Sequence, residues 1–150
     1  MEIKNFTLDY YTAARELWLN TEGVCNCNKC MELDSEQNLS RYLARNPASC
    51  FVAVQNGELI GTILAGHDGR TGFIYRLTVA QKYHKQGIGK ALVEKSVEAI
   101  KKEGIPTVVA FVLRDNPGGI IFWDKLGFED DGRAETLTYR INKESNNVQT

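Results

Sequence analysis

Long apolar runs are missing from this sequence. No stretch approaches the roughly 20 apolar residues that a membrane-spanning helix needs. The first ten residues carry Glu2, Lys4 and Asp9 in place of the apolar core of a secretion signal. A cytoplasmic location with no membrane partner is therefore expected. An excess of charge of either sign is also missing, since 18 Lys and Arg face 19 Asp and Glu for a net charge of −1. Such a balance gives the whole molecule no attraction for a polyanion, so no nucleic-acid partner is expected. Internal repeats and long linkers are absent as well. At 150 residues, the chain is expected to form one domain over residues 1–141, with a polar tail at 142–150. Cysteine is scarce: Cys25, Cys27, Cys30 and Cys50 are the four present, and in a cytoplasmic setting they are expected to be reduced.

What is present is ordinary globular patterning. Residues 2–6 alternate weakly, as a short strand does. Ala13, Ala14, Leu17 and Trp18 recur at helical spacing within 9–20, and Leu39, Tyr42 and Leu43 share a face within 35–45. Asn46-Pro47 ends that second helix, because proline disfavours helix in the residue before it. Apolar runs at 50–54 and 59–65 flank Asn56-Gly57, a strong hairpin signal. A strand at 73–79 leads to the clearest helix, 87–103, where Ile88, Leu92, Ser96 and Ile100 stack and Gly104 caps the end. A β-branched run at 107–113 reads as a buried strand, and a helix with proline in its first turn covers 117–126. Strands at 128–129 and 135–141 complete the reading. The order β-α-α-β-β-β-α-β-α-β-β predicts a mixed α/β fold, and 135–141 could serve as the edge of a homodimer.

Chemistry concentrates in the segment from Val79 to Ala91, which joins a strand to a helix through Gly87 and Gly89. Glycine lets a backbone approach a ligand closely. Free amides at a helix start, aided by the helix dipole, attract a phosphate or pyrophosphate, and Lys82, Lys85 and Lys90 add charge nearby. The spacing is not that of a nucleotide-binding P-loop. Nor is it a dinucleotide fingerprint, because Leu92 stands where the third glycine belongs.

Two motifs carry a resemblance. Val79 to Ala91 resembles motif A of the GNAT superfamily of N-acetyltransferases, Arg/Gln-x-x-Gly-x-Gly/Ala. Asn116-Pro-Gly-Gly-Ile-Ile-Phe-Trp-Asp-Lys-Leu-Gly-Phe128 looks like motif B, Asn-x-x-Ala-x-x-Phe-Tyr-x-x-x-Gly-Phe, and the two lie at the family's separation over roughly residues 2 to 141. The resemblance implies a central mixed sheet with helices on both faces, splayed between two central strands to admit pantetheine. It implies acetyl-coenzyme A as cosubstrate, a primary amine as acceptor, direct attack in a ternary complex, and no metal. By the same resemblance the backbones of Leu77, Thr78 and Val79 pair with the pantetheine arm. The amides of His84, Lys85, Gln86, Gly87, Ile88, Gly89 and Lys90 cradle the pyrophosphate, and Asn116 and Trp123 flank the cofactor.

Three positions depart from the pattern: His84 replaces Arg or Gln, Gly119 replaces alanine, and Trp123 replaces the tyrosine that often protonates the departing thiolate. Indole cannot act as an acid at neutral pH. Tyr75, on the strand entering the cofactor site, is the first candidate base, its phenol able to relay a proton, with Glu22 and Asp68 weaker candidates. Phe111 occupies the place where relatives acting on ribosomal-protein N-termini carry a glutamate. Two other readings stay open. A non-catalytic acyl-coenzyme A sensor on the same fold would explain Trp123. A zinc-dependent interaction protein would use Cys25, Cys27 and Cys30 with Cys50 or His67, although reduced thiols in a substrate loop, or redox-sensitive ones, account for the cluster more simply.

Overall fold

Five strands form one sheet in the order β1-β2-β3-β4-β5: β1 (Glu2–Asn5), β2 (Phe51–Gln55), β3 (Glu58–His67), β4 (Gly72–Val79) and β5 (Val108–Ala110). The computed structural model describes residues 1–130 and 132–141, so the expected polar tail at 142–150 lies outside the described residues. The first four strands run antiparallel to their neighbours and β5 runs parallel to β4. Asn56 and Gly57, both at positive φ, make the tight turn between β2 and β3.

The period of two along β2 sorts the core into two layers. Phe51 and Ala53 pack with Ile88, Leu92, Val93 and Ile100 of α4 (Ile88–Lys102) and with Trp123 of α5 (Pro117–Lys125). Cys50 and Val52 pack on the other face with Ala14 and Trp18 of α1 (Tyr11–Leu19) and Leu39 of α3 (Glu36–Arg45). The chain is thus a mixed sheet with helices on both faces. Buried polar groups stitch these layers together. Trp18 donates its indole N–H to Thr62 Oγ1 at 2.9 Å, and Thr62 donates its hydroxyl to the carbonyl of Arg76 at 2.8 Å. Ser96, fully buried on α4, donates to the carbonyl of Ser49 at 2.8 Å.

Four sequence expectations need correction. The strand expected over 107–113 is shortened to Val108–Ala110. Residues 128–129 form no strand; Phe128 instead packs edge-on against Trp123, with ring centres 4.7 Å apart. The 135–141 segment, expected to be a strand, carries no ladder pairing among the described residues, and Leu137 and Ile141 are each 92% exposed. Its pattern alternates, but alternation alone makes no strand: a strand needs a cross-strand partner, and none of the five strands pairs with this segment. Finally, the cysteine loop contains an unforeseen helix, α2 (Asn28–Leu33), with Cys27 as N-cap.

Candidate active site

The sheet forks. β4 and β5 pair only through Gly72–Val108, Phe73–Val109 and Ile74–Ala110. Beyond Ile74, β4 continues to Val79 against β3 alone, so among the described residues the side of Tyr75–Val79 that would face β5 has no ladder partner. A cavity of about 1160 Å³ opens at this fork. Leu77, Thr78 and Val79 line one wall, and Asn116 and Trp123 on the α5 side line the other.

Register explains how β4 presents its residues. Thr62 pairs with Thr78 and Leu64 with Tyr75, so Arg76 and Leu77 both lie opposite Ile63. This is a β-bulge, and Arg76 takes φ +51 within it. The bulge leaves the Arg76 side chain almost fully buried, with Nε 2.6 Å from Asp34 Oδ2, and its Nη1 donates to the Cys25 carbonyl at 2.6 Å. The guanidinium also stacks 4.7 Å from the centre of the Trp18 ring. One buried cation therefore ties the sheet to the loop that closes the near end of the cavity. Arg76 and Asp34 escaped the sequence reading, because only the bulge and a separation of 42 residues bring them together.

At the far end the chain turns into α4 through Gly87, which caps the helix at φ +82. A side chain is strained at this φ, whereas glycine is not. The first intrahelical bond of α4 runs from Ala91 N–H to the Gly87 carbonyl, so the amides of Ile88, Gly89 and Lys90 precede the helical ladder. Lys85, Gly87, Ile88, Gly89 and Lys90 line the cavity, and Gln86 does not. His84 also lines it, but its groups are committed locally. Its N–H donates to the Gln81 carbonyl at 3.1 Å, and its ring Nε2 lies 2.7 Å from the Val79 carbonyl. Gly89 serves a second purpose: a β-carbon there would sit 3.3 Å from the Phe122 ring, so its absence lets α4 approach α5 closely.

The centre of the cavity is aromatic. Tyr75 stacks on Phe111 at 5.5 Å, Phe111 stacks on Phe73 at 6.2 Å, and Tyr42 meets Tyr75 edge-on at 6.3 Å. Burial, and then the nearby Asp34 charge, raise the Tyr75 phenol above its ordinary pKa, so it is protonated at neutral pH. Burial also raises Tyr42, with smaller contributions from Cys50, Tyr75 and Asp34. The Tyr42 hydroxyl and the Thr78 hydroxyl are buried at the cavity without a hydrogen-bond partner among the described residues, and such groups are costly unless a ligand satisfies them. Tyr42 was read from sequence only as a helix-face residue.

Glu22 lines the same cavity, whereas Asp68 does not. Asp68 closes the turn between β3 and β4, accepting from the amides of Thr71 at 2.8 Å and Arg70 at 2.9 Å, which together hold its carboxyl below the ordinary range. Asn116 caps α5 by accepting from the Gly119 amide at 3.0 Å.

The cysteines also differ from expectation. Cys25 and Cys30 form a disulfide, with Cys27 Sγ 3.5 Å from Cys25 Sγ and 3.3 Å from Cys30 Sγ. The physical reason is local: Cys27 caps α2 by accepting from the Cys30 amide, which folds Cys30 back beside Cys25. Neither proposed fourth ligand joins the cluster. Cys50 is buried in the α1–α3 layer, donating to the Ala65 carbonyl at 3.2 Å. His67 Nε2 lies 3.3 Å from Glu103.

Known proteins share this architecture. The profile of the acetyltransferase (GNAT) family matches residues 11–128. An acetyltransferase of Photorhabdus laumondii is 33% identical over 134 residues, covering 87% of each chain. One from Pectobacterium atrosepticum is 31% identical over 129 residues, covering 86% of this chain and 88% of its own. The PaiA N-acetyltransferase of Thermoplasma acidophilum, crystallised with coenzyme A, superposes with a TM-score of 0.76 at 22% identity, covering 89% of this chain and 92% of its own. The chain belongs to the acetyltransferase (GNAT) family, and with it to the N-acetyltransferase enzymes. No helix among the described residues is long and apolar enough to cross a membrane.

Proposed function

We propose that this enzyme moves an acetyl group from acetyl-coenzyme A to a primary amine by direct attack in a ternary complex. The fork carries the reading: an unpaired β4 edge runs along one cavity toward a glycine-capped helix start. The free edge at Leu77, Thr78 and Val79 suits an amide-bearing arm, which would hydrogen-bond there as an added strand. The amides from Lys85 to Lys90, with the dipole of α4, suit the pyrophosphate. The thioester supplies an activated acyl carbon, and its thiol, with a pKa near ~8.5, leaves as thiolate with little assistance.

The chain's own residues do the rest. Asn116 and Trp123 border the arm, and Trp123 packs there without donating a proton. Tyr75, held protonated, donates to the oxyanion or to the departing sulfur. The amine must lose a proton before attack, and Glu22, at the same cavity, accepts it through water. Tyr42 and Thr78 offer hydroxyls with no competing protein partner. Flat aromatic walls at Phe111 and Tyr75 orient the acceptor.

Calorimetric titration of acetyl-coenzyme A into the wild type and Gly87→Glu tests the cofactor site. Micromolar binding that the variant abolishes supports it, and absence of binding to the wild type sinks it. Thiol release with a panel of amines then tests turnover. Binding without amine-dependent release would leave an acyl-coenzyme A sensor.

A further inference from the structure

The loop between α1 and α3 holds a donor set that acetyl transfer does not use. The sulfur atoms of Cys25, Cys27 and Cys30 all lie within 4.8 Å of one another, drawn together from six consecutive residues. We propose that, once the Cys25–Cys30 bond is reduced, these three sulfurs bind one Zn²⁺ in the wall of the acceptor end of the cavity.

The argument begins with donor chemistry. Three thiolates in a short turn favour zinc over magnesium or calcium, which prefer oxygen ligands. Tetrahedral Zn–S bonds of about 2.3 Å place the sulfurs roughly 3.8 Å apart. Cys27 Sγ already lies 3.5 Å and 3.3 Å from the other two, so those separations need only a few tenths of an ångström. The Cys25–Cys30 pair alone must open.

What keeps the sulfurs together after that bond opens is Arg76. Its Nη1 donates to the Cys25 carbonyl at 2.6 Å and its Nη2 to the Cys30 carbonyl at 3.4 Å. The backbones of two of the three ligand residues are thus clamped to the sheet independently of the disulfide, as outer contacts orient the ligands of a metal site. The third ligand residue, Cys27, is held as the N-cap of α2. No His, Asp or Glu among the described residues joins the cluster, so water or an exogenous donor completes the coordination. Cys25 and Cys30 line the cavity while Cys27 is exposed, which gives the ion a route of entry from solvent.

The chemistry balances. A phosphine reductant and one water convert the Cys25–Cys30 disulfide to two thiols, and the phosphine becomes its oxide. Zn²⁺ then displaces the three thiol protons of Cys25, Cys27 and Cys30 and forms three Zn–S bonds, so binding strengthens as pH rises.

The test uses full-length protein reduced with a phosphine under argon, then freed of reductant. Zn²⁺ is titrated against a chromophoric chelator, and Co²⁺ reports sulfur ligation through its thiolate charge-transfer bands. One ion per reduced chain and none per oxidised chain is expected. Cys27→Ser should weaken binding by about tenfold or more, and Cys50→Ala should leave it unchanged. A reduced wild type that binds no zinc, or zinc binding undiminished in Cys27→Ser, overturns the proposal. The contrast between oxidised and reduced wild type needs no variant to fold. The readout is also independent of acetyl-coenzyme A, so failure here leaves the reading of the active site standing.

Discussion

Arg76 Nε and Asp34 Oδ2 lie 2.6 Å apart, joining a bulged residue of the central strand to the residue that ends the short cysteine helix. The arginine side chain is 6% exposed and the aspartate 22%, so solvent screens the pair little. The cation also holds two carbonyls of the cysteine loop. The cysteine loop and β4 are therefore one mechanical unit.

Arg76→Leu removes the cation and leaves Asp34 and two carbonyls without their donor. Breaking a buried pair from one side costs about 3–5 kcal/mol. Chemical denaturation should show that loss, and limited proteolysis should find the 21–33 segment cut first. Unchanged proteolysis there would mean that the loop is held by other contacts.

Tyr75→Phe keeps the stack on Phe111 and removes only the hydroxyl. If the phenol donates in the transition state, kcat should fall about 100-fold while the KM for acetyl-coenzyme A stays within about twofold. A fall in affinity without a fall in kcat would assign Tyr75 to acceptor binding instead.

Tyr42→Phe removes a buried hydroxyl that has no partner among the described residues. The free protein should become more stable by about 1 kcal/mol, while the acceptor's KM rises. Destabilisation would show that the hydroxyl is satisfied within the folded chain.

Cys50 governs alkaline stability. Burial pushes its thiol from 9.0 to about 12, against a smaller lowering by its bond to the Ala65 carbonyl. Between these values the unfolded chain has lost a proton that the folded chain keeps. The contribution is full below pH 9 and is lost as pH rises toward 12, at up to ~1.4 kcal/mol per pH unit. Between pH 9 and 10 the unfolding free energy should fall less steeply with pH for Cys50→Ala than for the wild type, the tyrosines titrating in both. Parallel curves would rule out this source.

Gly89→Val presses a branched side chain on the Phe122 ring, which a β-carbon alone would approach to 3.3 Å. Overpacking of this kind costs about 1–3 kcal/mol. Melting temperature should fall, and acetyl-coenzyme A binding should weaken with it as α5 shifts. A variant that melts like the wild type would mean that α5 yields freely.

By itself the sequence determined whatever depends on neighbours along the chain. The helix periods of α1, α3 and α4, the Asn56-Gly57 turn and the glycine turn into α4 all follow from spacings of a few residues. The two motifs at their separation identified the family. Tertiary structure alone decided what depends on partners distant in sequence. The 135–141 segment alternates as a strand does, yet forms none, because alternation is local whereas a strand needs a cross-strand partner, and none of the five strands pairs with it. Spacing ranks Tyr75 ahead of Asp68 but does not show that the turn binds Asp68 in its own amides while the sheet carries Tyr75 into the fork. The Arg76–Asp34 pair and the converging cysteines were invisible for the same reason. Their positions rest on a bulge and a cap, which place side chains in space without marking the sequence between them.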